Sequence, residues 1–173
     1  MKQSNIARVI ASVAIVALLT MGCKYDTSIS NPAAYVQLYM PQAVKNPVHY
    51  TFTVSDTNQV IIYGAAYGGV GYPDKNIPVS FTADTTMTEA YNIQNGTSYL
   101  SMPAGSFKLA APQAVIPKGK LSTDPLQLTI TTEGYLQPTE SYLLPVRLSA
   151  EKGDSTVSQS LDVTYFVITA KVG

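Results

Sequence analysis

The chain has 173 residues, no net formal charge, 13% charged residues, one cysteine and one histidine. That balance excludes the basic footprint of a nucleic-acid binder, and a single thiol excludes an internal disulfide framework. Twelve Tyr, four Phe and no Trp, together with plentiful Thr, Val and Ile and recurrent Pro and Gly, are strand-and-turn chemistry.

Lys2 and Arg8 give a positive start, and residues 9–19 follow as an apolar stretch broken only by Ser12. This is too short for a stable bilayer span, which takes about 20 residues, and it fits a secretory h-region. Gly22 then precedes Cys23. The layout resembles a bacterial lipoprotein signal, which implies cleavage between Gly22 and Cys23 with diacylglycerol on the sulfur. Thr20 departs from the pattern, since a large apolar residue usually stands there; Leu19 is one place early. Acylation would also remove a thiol that an exported protein otherwise leaves free. Two or more acyl chains, at about 0.8 kcal/mol per buried CH₂, give stable anchoring. The expected organisation is a signal peptide at 1–22, a flexible polar tether with the lipidated cysteine at 23–33, and one folded domain at 34–173. The expected location is the outer membrane, lipid-anchored at the cell surface, with the membrane as first partner. Asp26 alone follows the cysteine closely, so the membrane face stays open.

After the leader the chain is about 150 residues, one domain by size, able to bury roughly 68–70% of its unfolded surface. It reads as short alternating runs. The first covers 35–40. Val48, Tyr50, Phe52 and Val54 then alternate with polar residues, so one face goes inward. Residues 60–67 are more continuously apolar and read as a central strand. Ile77, Val79, Phe81 and Ala83 alternate cleanly, with Pro78 placing the strand's start at an edge or bulge. Residues 85–92 predict two helical turns, with Thr86 and Glu89 spaced as a capping box. Asn95-Gly96-Thr97 reads as a turn, and short strands follow at 107–109 and 114–116. Leu126, Leu128 and Ile130 alternate, as do Leu144, Val146, Leu148 and Ala150. Residues 161–172 close the chain as its longest strand, with a bulge or two-sided burial near Tyr165 and Phe166. Seven to nine strands and almost no helix predict an all-β antiparallel β-sandwich. A closed barrel is the alternative, which the short unequal strands and frequent proline disfavour.

Several segments together carry a resemblance. They are Tyr39-Met40-Pro41-Gln42-Ala43, Tyr91-Asn92 with Asn95-Gly96-Thr97-Ser98-Tyr99 and Met102-Pro103, Ala114-Val115-Ile116-Pro117-Lys118-Gly119, and Tyr142-Leu143-Leu144-Pro145-Val146. In this order they resemble the N-terminal immunoglobulin-like domain of unknown function in surface lipoproteins of Bacteroidota. That domain often precedes a chitinase-like glycosidase or lectin-like module. The resemblance runs from about residue 35 to 169. It implies an immunoglobulin-like sandwich, an outer-membrane setting and a link to glycan capture, and it carries over no catalytic residue. The sequence stops after the domain, so a downstream module's contribution is expected to be absent or to come from another chain.

The chemistry-bearing residues are few. His49 is the single histidine and lies on the outward face of its strand by the alternation. A Ser-His-Asp triad would need it as base, and no G-x-S-x-G elbow is present. No ligand set for zinc or calcium is legible, and no cofactor is expected. A glycosidase needs two facing carboxylates, whereas the acids fall mostly in predicted turns and strand ends. Residues 64–73 form the one glycine-rich segment, read as a wide hairpin whose glycines supply positive φ. Its functional reading is a mobile binding loop that offers Tyr67 and Tyr72 to a sugar ring, with Tyr63 in the core. Arg147 lies deep in a predicted core strand.

The leading expectation is a non-catalytic surface lipoprotein accessory to capture of a glycan or similar nutrient, by itself or beside an outer-membrane importer, with polysaccharide as ligand. The alternative is a structural or assembly subunit acting through an exposed sheet edge.

Overall fold

The computed structural model describes residues 35–150 and 156–173. Gly22 and Cys23, which carry the lipidation expectation, lie outside the described residues. In chain order the first strands are β1 (Gln37–Tyr39), β2 (Val48–Thr53), β3 (Gln59–Tyr63), β4 (Ala66–Gly68) and β5 (Ile77–Ala83). A 3-10 turn, Pro41–Lys45, follows β1, and one α-helix, α1 (Met87–Asn95), follows β5. Then come β6 (Leu100–Ser101), β7 (Phe107–Leu109), β8 (Gln113–Ile116), β9 (Leu126–Ile130), β10 (Ser141–Ala150), β11 (Thr156–Val157) and β12 (Val163–Lys171).

The protein is a β-sandwich. Its larger sheet has the order β2-β12-β10-β5-β8, with β6 added beside β10. The facing sheet is β3-β9-β7, and a third small sheet is β11-β1-β4. The core lies between the layers. Leu144, Val146 and Leu148 of β10, Phe166 and Ile168 of β12, and Val79 and Phe81 of β5 are almost fully buried, as are Ile61 and Tyr63 of β3 and Leu128 and Ile130 of β9. Each such large side chain contributes roughly 1.5–3 kcal/mol by leaving water. Tyr63 meets Phe81 edge-to-face, with centroids 4.9 Å apart and planes at 84°, which joins the two layers by the geometry aromatic pairs prefer. Its hydroxyl donates to the Ala111 carbonyl at 2.8 Å, so the polar end is satisfied and Tyr63 stays in the core as expected. The Tyr142 hydroxyl accepts from the Gln137 backbone N–H at 2.9 Å. This backward bond at the start of a core strand is the tyrosine corner of immunoglobulin-like sandwiches.

Several details differ from the sequence reading. Twelve strands stand among the described residues. The three beyond nine come from the two-residue β6 and β11 and from the division of residues 60–67 into β3 and β4. The division falls at Gly64, where a Cβ would lie 2.7 Å from the Thr123 hydroxyl. The Ala65 N–H bonds that same hydroxyl at 3.2 Å, so the chain leaves one sheet for another there. β3 is accordingly an edge strand rather than a central one, and Val60 and Ile62 are exposed on it. β5 lies inside its sheet rather than at an edge, and Pro78 is paired there with Val115 of β8. It is the second residue of its strand, so the missing N–H falls near the strand's start.

The longest strand is β10, with ten residues, and β12 has nine. β10 and β12 pair without interruption from Ser141 opposite Thr169 to Arg147 opposite Val163. The slip in alternation near Tyr165 is therefore two-sided burial, not a bulge. The pairing is mainly antiparallel, with parallel pairs β1–β11, β6–β10 and β2–β12. Their partners are far apart in sequence, so no tight turn imposes the antiparallel sense.

Helix α1 contacts β10 and β6, on the side of the sheet away from the core residues of β10. No capping box forms. Thr86 is itself in the helical region and makes no side-chain cap. The Asp84 carboxylate instead accepts the Thr86 N–H and hydroxyl. Asn95-Gly96-Thr97 is the end of this helix rather than a free turn. Gly96 adopts φ 64°, ψ 34°, the left-handed stop that glycine supplies without steric penalty. No helix of the described residues is long and apolar enough to cross a membrane.

Candidate functional site

On β10 the even-numbered residues from Tyr142 to Leu148 point into the core, so Arg147 points out. It belongs to a core strand, as its sequence context implied, but its side chain is 46% exposed. Nη1 donates to Asp162 Oδ2 at 2.8 Å, and Nη2 approaches Met87 Sδ at 3.6 Å. Asp162 lies in the turn before β12, and Met87 opens α1. Around this pair opens a cleft of about 370 Å³, walled further by Asn46, Gln159, Ser160, Val163 and Tyr165. The volume is at the small end of the range for ligand sites.

The cleft has an aromatic flank. Tyr165 of β12 lies opposite Pro145 on the outer face of the sheet. The ring of Tyr91, from α1, lies 4.5 Å from that of Tyr165 and 6.2 Å from that of Tyr99. Burial pushes the Tyr165 hydroxyl above its ordinary pKa, Arg147 pulls it partly back, and Asp162 adds to the rise. Burial, then Tyr99 and Tyr165, raises Tyr91 likewise. Both phenols thus remain neutral at physiological pH and keep a donor hydrogen.

Two asparagines hold the parts in place. Asn46 ends the 3-10 turn, and its side chain donates to the Val163 carbonyl at 2.7 Å and accepts from the Tyr165 N–H at 2.9 Å. It thereby continues the pairing of β12 beyond the point where β2 stops, at Val48 opposite Phe166. Asn92, in α1, accepts from the Tyr99 N–H at 3.0 Å and the Thr97 hydroxyl at 2.8 Å, and donates to the Tyr99 carbonyl at 2.8 Å. These bonds fold the chain after Gly96 back so that Tyr99 meets Tyr91.

The sequence candidates lie elsewhere. Tyr67 is on β4, which pairs with β1, so residues 64–73 are not a simple hairpin. Tyr67 is half-buried and packs against the core, and a Cβ on Gly69 would lie 3.1 Å from its ring. Tyr72 is 67% exposed, just after Gly71 at φ 79°. No ring contact joins the two among the described residues. His49 is exposed on β2, where the alternation put it. Among the described residues no three His, Cys, Asp or Glu side chains are grouped to hold a metal. A second hollow of about 300 Å³ along β5 and β8 is lined by Pro78, Ser80, Gln113 and Val115, among others, without a charge or a ring.

Sequence reasoning missed Arg147, Asp162, Tyr165, Tyr91 and Tyr99 as a set. A signal existed for part of it. Arg147 stands at an outward position in the alternation Leu144, Val146, Leu148, and Tyr91 and Tyr99 flank the helix stop at Gly96.

Solved structures with the same fold come from Bacteroides. One is described as a "putative carbohydrate binding protein" from Bacteroides ovatus, at 19% identity and TM-score 0.59, covering 79% of this chain and 37% of that one. A two-domain protein of unknown function from Bacteroides fragilis is 11% identical with TM-score 0.61, covering 80% and 46%. EndoBT-3987 of Bacteroides thetaiotamicron, solved with a Man5GlcNAc product, is 17% identical with TM-score 0.57, covering 77% and 30%. The chain thus spans a third to a half of the length of these proteins. No curated protein sequence matches it. A family model described as "-like, N-terminal domain" matches residues 29–155, most of the sequence, and the chain belongs to that family of N-terminal domains, the one its ordered motifs resemble.

Proposed function

We propose that the protein is a non-catalytic surface lipoprotein domain that assists glycan capture, using the cleft beside Arg147, Asp162 and Tyr165 rather than the glycine-rich segment. The observation that carries this reading is the cleft itself. The Tyr165 ring with its neutral phenol, beside a paired guanidinium and carboxylate, offers an apolar face and hydrogen-bonding edges together, which a sugar requires. The carbohydrate-binding description of one structural neighbour and the glycan product held by another agree with it. Among the described residues that wall the cleft Asp162 is the single carboxylate, whereas glycoside hydrolysis by the usual route needs two. In this reading residues 1–22 are removed, Cys23 carries the acyl chains, 23–33 form the tether and 34–173 the folded domain. The protein acts alone or beside an outer-membrane importer.

A second reading, an assembly subunit, draws on the exposed Val60 and Ile62 of edge strand β3, a surface suited to strand addition.

Fractionation and affinity electrophoresis together test the proposal. Full-length protein should sediment with outer membranes and be retarded in gels containing a neutral polysaccharide. Cys23→Ser should release it to the soluble fraction with retardation intact. Retardation by no polysaccharide, with a stoichiometric protein partner in mild-detergent extracts, would favour the assembly reading instead.

A further inference from the structure

We infer that the cleft selects an uncharged sugar ring carrying adjacent hydroxyls, and that the Arg147–Asp162 pair is its specificity element. This rests on the glycan reading above and narrows it to a ligand class. A sugar hydroxyl both donates and accepts. The Arg147 guanidinium carries five N–H donors and no acceptor, and the ionised Asp162 carboxylate accepts only. Held 2.8 Å apart, the two present a donor edge and an acceptor edge side by side, which matches two neighbouring hydroxyls on one ring.

The charges exclude the other ligand classes. A uronate or sulfated sugar would gain from Arg147 alone, but here its anion meets the Asp162 carboxylate. An amino sugar bearing a free ammonium meets Arg147 in the same way. Among the described residues, the other polar walls Asn46, Gln159 and Ser160 add no charge. Tyr165 is partly exposed beside the pair, where its ring can face the apolar side of the sugar. Its other neighbour, Tyr91, packs against it at a tilt of 40°, so the ring's position is fixed before ligand arrives, and little ordering is left to oppose binding.

The pair is also a clean place to test. A partly exposed ion pair contributes little to stability, so Asp162→Asn should fold and melt as the parent does. The experiment is binding by full-length protein in detergent to immobilised maltohexaose and mannohexaose, whose rings carry adjacent free hydroxyls, against chitohexaose, whose inner rings do not, and hexagalacturonate. The parent is expected to bind maltohexaose or mannohexaose and to discriminate against the other two. Asp162→Asn replaces one acceptor oxygen with an NH₂ donor, removes the negative charge and unmasks Arg147. It should weaken the neutral hexamer by about tenfold, the loss of one hydrogen bond to a charged group, and strengthen hexagalacturonate. Parent protein that prefers hexagalacturonate, or an Asp162→Asn variant with unchanged preference, would overturn this inference while the glycan reading stands. Binding to none of the four would remove the glycan reading with it.

Discussion

Within the glycine-rich segment Tyr67 leans on the core while Tyr72 stands in solvent. Beside Arg147, by contrast, Tyr91 packs on both Tyr99 and Tyr165, and Tyr165 walls a polar cleft. Both regions are rich in tyrosine, and they differ in what fixes the rings. Tyr72 follows a glycine at positive φ with open space around it, and its ring has no aromatic neighbour among the described residues. The second cluster is held by Asn46, Asn92 and the ring contacts themselves. A rigid site holds its binding geometry without an ordering cost. Exposure and composition mark a surface, whereas organisation marks a site.

The comparison can be broken most forcefully at Asn92. Its side chain makes three hydrogen bonds to the chain that presents Tyr99, each contributing about 0.5–1.5 kcal/mol. Asn92→Ala is expected to lower unfolding stability by about 2–3 kcal/mol in urea titration. A loss below about 0.5 kcal/mol would mean that the loop is held by other means. The next largest effect separates the two loop tyrosines. Tyr67→Ala should cost about 1–2 kcal/mol, less than a fully buried aromatic because it is half-exposed. Tyr72→Ala should stay within about 0.5 kcal/mol, as an exposed residue without partners does. Equal costs would contradict the division of roles drawn between them.

The smallest effect at neutral pH, and one visible only in alkali, concerns the phenols. Burial raises Tyr63, Tyr91 and Tyr165 above the ordinary value of 10.0. The unfolded chain therefore releases these protons first as pH rises. Stability is fully present below the unfolded pKa and falls as pH climbs from there through the folded values. Thermal melts from about pH 8 to 11 should show Tm dropping on the alkaline side. Tyr91→Phe should flatten part of that drop, and a parallel curve would show that Tyr91 ionises as freely when folded as when unfolded.

Much of the sandwich was legible because strand alternation is a local property. The inward residues of β2, β5, β9 and β10 follow directly from Val48, Ile77, Leu126 and Leu144 and their every-second neighbours. What failed depended on neighbours distant in sequence. Residues 60–67 look like one strand until Thr123 arrives against Gly64. Asp84, rather than Glu89, serves the start of α1 because Thr86 is already helical. The cleft was illegible for the same reason at larger scale. Residues 46, 87, 147, 162 and 165 meet only when β10 pairs with β12 in the observed register and α1 lies over them. A reading along the chain finds tyrosines near in sequence such as Tyr67 and Tyr72, and these need not converge.

The most direct test compares Tyr165→Ala with Tyr72→Ala in the same gel-retardation assay on a neutral polysaccharide that retains the parent. Tyr165→Ala should lose retention by tenfold or more, about 1.4 kcal/mol, with a folded spectrum, while Tyr72→Ala behaves as the parent. Loss in Tyr72→Ala with full retention in Tyr165→Ala would contradict the account and return the site to the glycine-rich segment.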